Sequence, residues 1–476
     1  MSSINRKARD LLSLKLLLPL SQLRQVVGPL RRAVQTAYCE GLRFRWEASR
    51  WQPEQKREWV LRRLRQTARR ACRETQYYRE LFDRIGFDPQ ADFSFEDFAR
   101  LPVLEREDVQ RAGNELISTA VPAGQLRKDA TGGSTGTPTE VWLGPEEAGW
   151  RESGIEYYMQ RIGAKSGTRI GALWGHHLDP VGSTKLRDRY HEFVTNRRWF
   201  DCFRLSPEVF DRYHRELEDW RPACLLAYAG ALGHFAEHLS ERGHRPNYPT
   251  RSLVTGAEKL MPHHRELIES VFGRPVHERY GSRDAGGIGF QTDPARSLDY
   301  EIDWTNVLIE PETEEPEAQG TGSGILVTKL HADGMPMLRY RVGDAGRFPA
   351  GSKPGHPAFA LEEVVGRLMD RVWLRDGRWI HAIQLPHLMK DYPVREFMLT
   401  QHSDYSVTVQ IAPKAGFEAG SQQQIENTLR ANLPGLSLSI ELVEQVPRTK
   451  ANKWRPVTSF VDQTLVCSTS SGEDSE

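Results

Sequence analysis

Thr131-Gly132-Gly133-Ser134-Thr135-Gly136-Thr137-Pro138-Thr139 is the most distinctive stretch of this 476-residue chain. Its glycines admit positive φ and let the backbone come close to a ligand. Successive amide N–H groups in such a loop form an anion-binding nest, and the hydroxyls of Thr131, Ser134, Thr135 and Thr137 add donors for phosphate oxygens. Composition alone fits a Gly/Ser/Thr linker equally well. A Walker A loop is excluded, because Gly136 is followed by Thr137-Pro138 and not by Lys-Ser/Thr.

The pattern on either side sets the architecture. From about residue 125 to 365, short β-rich runs (Ile170–Trp174, Ser252–Thr255, Ile325–Leu330) alternate with helical patterns (Pro207–Glu218, His263–Phe272). That alternation predicts an α/β domain on a mixed or parallel sheet. Upstream, residues 54–83 read as a helix with Val60, Leu61, Leu64, Ala68 and Ala71 on one face. Arg62, Arg63, Arg65, Arg69 and Arg70 cover the other, as a solvated face or an anion site. Downstream, Val407, Val409 and Ile411 alternate as in a half-buried strand, and Ile425, Leu429 and Leu433 follow at helical spacing. Alternation resumes at Leu436, Leu438, Ile440 and Leu442, which predicts a small α+β domain. The expected organisation is a helical extension over 1–50, a large domain over 51–366, a small mobile domain over 367–463 and a disordered tail over 464–476.

Composition narrows the function. Lys+Arg and Asp+Glu are 64 each, so no net field favours nucleic acid. The five cysteines include no CxxC pair, which argues against a local zinc knuckle or a disulfide scaffold and makes a reducing cytoplasm the default. The apolar stretch Leu11–Leu20 is interrupted by Lys15 and Pro19 and is too short to span a bilayer. An amphipathic helix over residues 5–35 packed on the body is the expectation, though its basic residues could touch a membrane surface weakly.

The loop resembles the phosphate loop of adenylate-forming enzymes, the acyl-CoA synthetase and luciferase-like superfamily, and further signatures follow in order. Ser252-Leu253-Val254-Thr255-Gly256-Ala257-Glu258 resembles the strand and turn beside the adenine. Tyr280-Gly281-Ser282-Arg283-Asp284 resembles Tyr-Gly-x-x-Glu, and Gly324-Ile325-Leu326-Val327-Thr328 resembles Gly-Glu-Leu-x-x-Thr. Met335 to Asp344 resembles Pro-x-x-Arg-Tyr-x-x-Gly-Asp. Gly366-Arg367-Leu368-Met369-Asp370 resembles the hinge Gly-Arg-x-x-Asp, and Pro447 to Lys453 resembles Pro-Arg-x-x-x-Gly-Lys. Tyr77 to Phe82, Leu101 to Leu104 and a C-terminal domain of only about 100 residues are most similar to phenylacetate–CoA ligases and their capsular-polysaccharide (CapK-like) relatives.

The resemblance implies activation of a small carboxylic acid by ATP and magnesium, giving an acyl-adenylate, then transfer to CoA. Transfer to an amine, sugar or carrier protein, or a non-catalytic nucleotide-binding role, are the alternatives. It implies that Thr131, Gly132, Gly133, Ser134, Thr135 and Gly136 hold the phosphates. Gly256, Ala257, Glu258, Tyr280, Gly281 and Ser282 would surround the adenine, Asp344 would take the ribose hydroxyls, and Arg367 would sit near phosphate or ribose. Lys453, Thr135 and Asp284 would be catalytic, with Asp284 at the magnesium. Met369 and Asp370 would form the hinge, and His176 and His177 would border the acyl pocket. No zinc site is expected, since no cysteine lies between Cys224 and Cys467. Nothing in the pattern argues against a homodimer. The chain departs from the pattern at Asp284, Asn452 and Met369.

Overall fold

A computed structural model of the chain describes residues 29–130, 139–174, 196–202, 205–314, 322–367, 371–375, 379–381, 384–389, 392–414, 416–447 and 457–461. Two compact units emerge: one of residues 1–315, 325–342 and 347–364, the other of 316–324, 343–346 and 365–476. The mixed α/β class expected from the alternation is the one observed.

The first unit begins with two long helices, α1 (Pro29–Ala48) and α2 (Pro53–Glu74), followed by α3 (Gln76–Ile85). On α2 the predicted face is the buried one: Val60, Leu64, Ala68 and Ala71 are wholly covered. The single helix expected over 54–83 is broken at Thr75, whose backbone is extended. Its hydroxyl donates to Ala71 O (2.8 Å) and accepts from Tyr78 N, so one residue closes one helix and opens the next. The arginines of α2 are not a plain solvated face. Arg65 donates to Phe93 O and Arg69 to Pro89 O, while Arg63 and Arg70 both pair with Glu146.

A hairpin of β1 (Arg127–Ala130) and β2 (Glu140–Leu143) leads into α4 (Pro145–Arg161). The α/β core then runs β3 (Ile170–Trp174), β4 (Arg197–Asp201), α5 (Pro207–Trp220), β5 (Cys224–Tyr228), α6 (Ala229–Glu241), β6 (Ser252–Gly256), α7 (Pro262–Phe272), β7 (Val276–Ser282) and β8 (Gly286–Phe290). It continues with β9 (Tyr300–Ile302), β10 (Val307–Pro311), β11 (Ser323–Lys329), β12 (Tyr340–Arg347) and β13 (Ala360–Leu361). One eight-stranded sheet has the order β13-β9-β8-β7-β6-β5-β3-β4. Strands β4, β3, β5, β6 and β7 are parallel, and β7, β8, β9 and β13 continue antiparallel. Strands β5 and β6 are buried throughout, as expected of a parallel sheet covered on both faces. In parallel strands the C-terminal ends share one edge, where α/β sheets bind ligands.

Helix α4 packs against α1 at very short range. A Cβ on Gly149 would lie 2.6 Å from Val34 O and from the Ala37 Cβ, so only glycine fits there. Across this contact Arg45 is buried with all five N–H donors used. Two reach Asp303 (3.0 and 2.9 Å), two reach Gly41 O and Ser153 Oγ, and one reaches Trp150 O. Full satisfaction is what makes a buried arginine tolerable. At the start of α4, Asp333 accepts from the amides of Glu146 (2.9 Å) and Glu147 (3.1 Å), and burial pushes its carboxyl up to about 6.

The second unit contains a sheet ordered β16-β15-β14-β17, made of β14 (Val394–Gln401), β15 (Val407–Pro413), β16 (Leu438–Leu442) and β17 (Val457–Ser459), with a helix over Ala419–Asn432. Val407, Val409, Ile411, Ile425, Leu429 and Leu433 are buried in one core, as their spacing predicts.

Replacing Arg45 by methionine should strand the buried Asp303 carboxylate and cost about 3–5 kcal/mol, the usual penalty for removing one partner of a buried pair. Urea unfolding should show a lower midpoint at unchanged slope.

Candidate active site

The described part of the candidate site is built where β6 and β7 end. After Thr255 the chain turns through Gly256, Ala257 and Glu258, with Ala257 held at φ 69°, a left-handed conformation unusual for alanine. Glu258 accepts from Gly230 N (3.1 Å) in the first turn of α6. Tyr280 is half-buried and meets Tyr300 edge to face at 6.3 Å. Gly281 is required by close approach, since a Cβ there would lie 2.3 Å from Gly286 O. The turn that follows is tied to itself: Ala285 N donates to Ser282 Oγ (3.1 Å) and to Asp284 Oδ1 (3.2 Å).

Arg151 of α4 fixes this turn from outside. Its guanidinium donates to Arg283 O (3.0 Å) and to Asp284 O. Glu147, one helical turn earlier, holds Arg151 at 2.5 Å and Lys329 at 3.0 Å. The side chains of Glu147 and Lys329 are 2% and 3% exposed, so this is an ion triad removed from water. Burial pushes the Lys329 ammonium down, Glu147 opposes that shift, and Arg151 adds to it. Asp284 is itself buried, and the Tyr340 phenol is pushed up first by burial and then by the Asp284 charge beside it.

The hairpin that flanks the Gly/Ser/Thr loop reaches the same turn. Strands β1 and β2 pair from Arg127 opposite Leu143 to Ala130 opposite Glu140, and Asp129 of β1 lies 3.9 Å from Arg283. Thus the two segments that bracket the loop, the Gly256 turn and the Tyr280–Asp284 turn belong to one unit. Asp344, half-buried on β12, and Arg367, the last residue of a strand over Glu363–Arg367, fall in the other unit. Thr131, Gly132, Gly133, Ser134, Thr135, Gly136, His176, His177, Met369, Asp370 and Lys453 lie outside the described residues.

Among the described residues no three His, Cys, Asp or Glu side chains are grouped as a metal cage. Magnesium does not need one. It commonly takes one or two protein carboxylates and completes its shell with water and substrate phosphates. A single carboxylate at Asp284 suits that donor set.

Reasoning from sequence missed Arg151, Glu147 and Lys329. A lysine ending an otherwise apolar run, Gly324 to Lys329, was the available signal, as was the i, i+4 pair Glu147/Arg151.

No family model matches the chain. It is 23% identical over 325 residues to a phenylacetate-coenzyme A ligase of Pseudomonas putida, covering 67% of this chain and 72% of that one. It is 20% identical over 271 residues to protein CapK of Staphylococcus aureus, covering 57% and 58%. Among solved structures, a 2-hydroxyisobutyryl-CoA ligase in the postadenylation state superposes with a TM-score of 0.65 at 18% identity, covering 88% of this chain and 92% of that one. The fold is thus shared with that acyl-CoA ligase. The sequence likeness is to the phenylacetate–CoA ligases and to CapK.

Replacing Glu147 by glutamine should leave two buried cations facing each other and destabilise the first unit by about 3 kcal/mol. Adding Lys329→Met should recover most of that loss, and denaturant unfolding of the single and double variants measures the coupling.

Proposed function

We propose that the protein activates a carboxylic acid with ATP and passes the acyl group to CoA. The observation that carries this reading is the convergence of the Gly256 turn, the Tyr280–Asp284 turn and the hairpin flanking the Gly/Ser/Thr loop, together with the superfamily likeness. In the first half-reaction a substrate carboxylate oxygen forms a bond to the α-phosphorus. The bond from that phosphorus to the bridging oxygen breaks, and pyrophosphate leaves. In the second, the CoA thiol forms a bond to the acyl carbon, AMP leaves and the thiol proton passes to solvent.

The residues are assigned by what charge development requires. The loop amides and the hydroxyls of Thr131, Ser134 and Thr135 bind the β- and γ-phosphates. Tyr280 and the 256–258 turn border the adenine, and Asp344 accepts from the ribose hydroxyls, with Arg367 near them. Magnesium, when bound, neutralises phosphate charge, and Asp284 holds it directly or through water. Lys453 contacts the attacking carboxylate and the α-phosphate, where its charge counts most in the transition state. Met369 and Asp370 act as the pivot of the small domain between the half-reactions, and His176 and His177 border the acid. The family's zinc clusters have no counterpart in this cysteine pattern. No described helix is long and apolar enough to cross a membrane.

The test is carboxylate-dependent release of pyrophosphate from ATP and magnesium, with hydroxylamine trapping the adenylate. One class of acid should support release, and Lys453→Ala should lower the rate by about 100-fold or more, as loss of a preorganised electrostatic contact does. Omitting the trap and adding CoA should yield a thioester. ATP binding without release for any acid would instead favour the non-catalytic reading.

A further inference from the structure

Two half-buried guanidinium groups in this unit, those of Arg279 and Arg197, pair with no acid among the described residues. Arg279 immediately precedes Tyr280 on β7, and Arg197 begins β4. The Arg279 side chain crosses Gly256: a Cβ on that glycine would lie 2.9 Å from its Cγ and 3.0 Å from its Nε. Its guanidinium ends over Trp174, 5.1 Å from the ring centroid. Trp174 closes β3 and meets Tyr228, the last residue of β5, edge to face at 4.4 Å. Tyr228, Cys202 and Ala231 form a small apolar cluster on which Trp174 also packs. The result is an apolar wall with the Arg279 cation beside it, at the edge of the sheet where the Tyr280–Asp284 turn begins.

The charges around this place do not cancel. Burial pushes Arg279 down to about 10, and the next cause is the like charge of Arg197; Cys224 and Tyr228 oppose it, and no carboxylate contributes. Among the described residues the one carboxylate acting on Arg197 is Glu156, whose Oε1 already accepts from Gln160 Nε2 (2.7 Å) and Ser166 N (3.0 Å). Glu258 acts on Tyr228 and Cys202, yet accepts from Gly230 N. Neither arginine forms an ion pair or a hydrogen bond with a described residue; their recorded partners are the rings of Trp174 and Trp199. Among the described residues of the same unit the buried cations are paired, Arg45 with Asp303, Lys329 with Glu147 and Arg339 with Glu310. A half-buried cation without a described counter-ion is left with attraction for an anion to spare. Both keep some open surface, so a ligand can reach them. A planar fork of donors suits a carboxylate, phosphonate or phosphate.

We infer that the acid this protein activates carries a second anionic group, which Arg279 binds, while the reacting carboxylate lies toward the Ser282–Asp284 turn. The inference rests on the acid-activating reading above and narrows its substrate to dianionic acids. Arg279 is then a specificity-determining residue.

The experiment compares acids of matched length in the pyrophosphate assay with the full chain. Butyrate is set against succinate and 3-phosphonopropionate, and phenylacetate against 4-carboxyphenylacetate. At least one dianion should exceed its monoanionic match by about 100-fold or more in kcat/KM, because a site built for a polar group rejects the analogue lacking it. The better of the two aliphatic dianions tells a carboxylate from a phosphonate. Arg279→Leu should abolish the preference mainly through KM for the dianion, while Arg279→Lys keeps part of it. ATP binding by each variant, followed by titration, shows that it is folded. Equal use of matched acids by the parent chain, or an unchanged preference in a folded Arg279→Leu variant, would overturn the inference and leave acid activation standing. Failure of every acid in the parent chain, with ATP bound, would overturn the activation reading itself and this inference with it.

Discussion

A single carboxylate, that of Glu147, stands between two cations in the interior of the larger unit, and the arrangement of the site depends on it. Lys329 is brought by a fully buried strand and Arg151 by the next turn of the same helix. None of the three charges is affordable alone in a medium of low polarity. Together they fix α4 against β11 and direct the remaining donors of Arg151 at the carbonyls of the 283–284 turn. Asp333 secures the same helix at its first amides. The helix is thereby located along its axis as well as against its neighbours, and the turn inherits that position.

The other face of the electrostatics is an asymmetry. Burial next to Glu147 gives Lys329 a partner, whereas the half-buried Arg279 finds, among the described residues, the ring of Trp174 and no carboxylate. A ring quadrupole stabilises a cation by far less than a carboxylate does in the same surroundings. On the inference drawn above, that imbalance is an attraction kept for a negatively charged ligand, in the same unit as the turn that carries Asp284.

Much of the fold was legible because periodicity survives packing. The runs at Ile170–Trp174 and Ser252–Thr255 are strands, and Ile425, Leu429 and Leu433 share one buried helical face. The break at Thr75 was not legible, since no glycine or proline marks it and the hydroxyl that caps both helices acts only once they exist. The arginines of α2 misled for a related reason: whether such a row faces water depends on the carbonyls and on Glu146 brought to it by distant segments. At the site, the order of the motifs pointed to the turns after β6 and β7. The side chains that hold those turns come from α4 and β11, and no local spacing announces a contact across more than 130 residues.

Arg151 grips the turn through main-chain oxygens, and every amino acid has one. The shape of the turn is therefore insured against changes in its own side chains. Arg283 and Asp284 can be exchanged for other residues without the loop losing its path. Divergence at this point alters what the loop presents and leaves intact where it presents it, so new chemistry can be tried on an old frame.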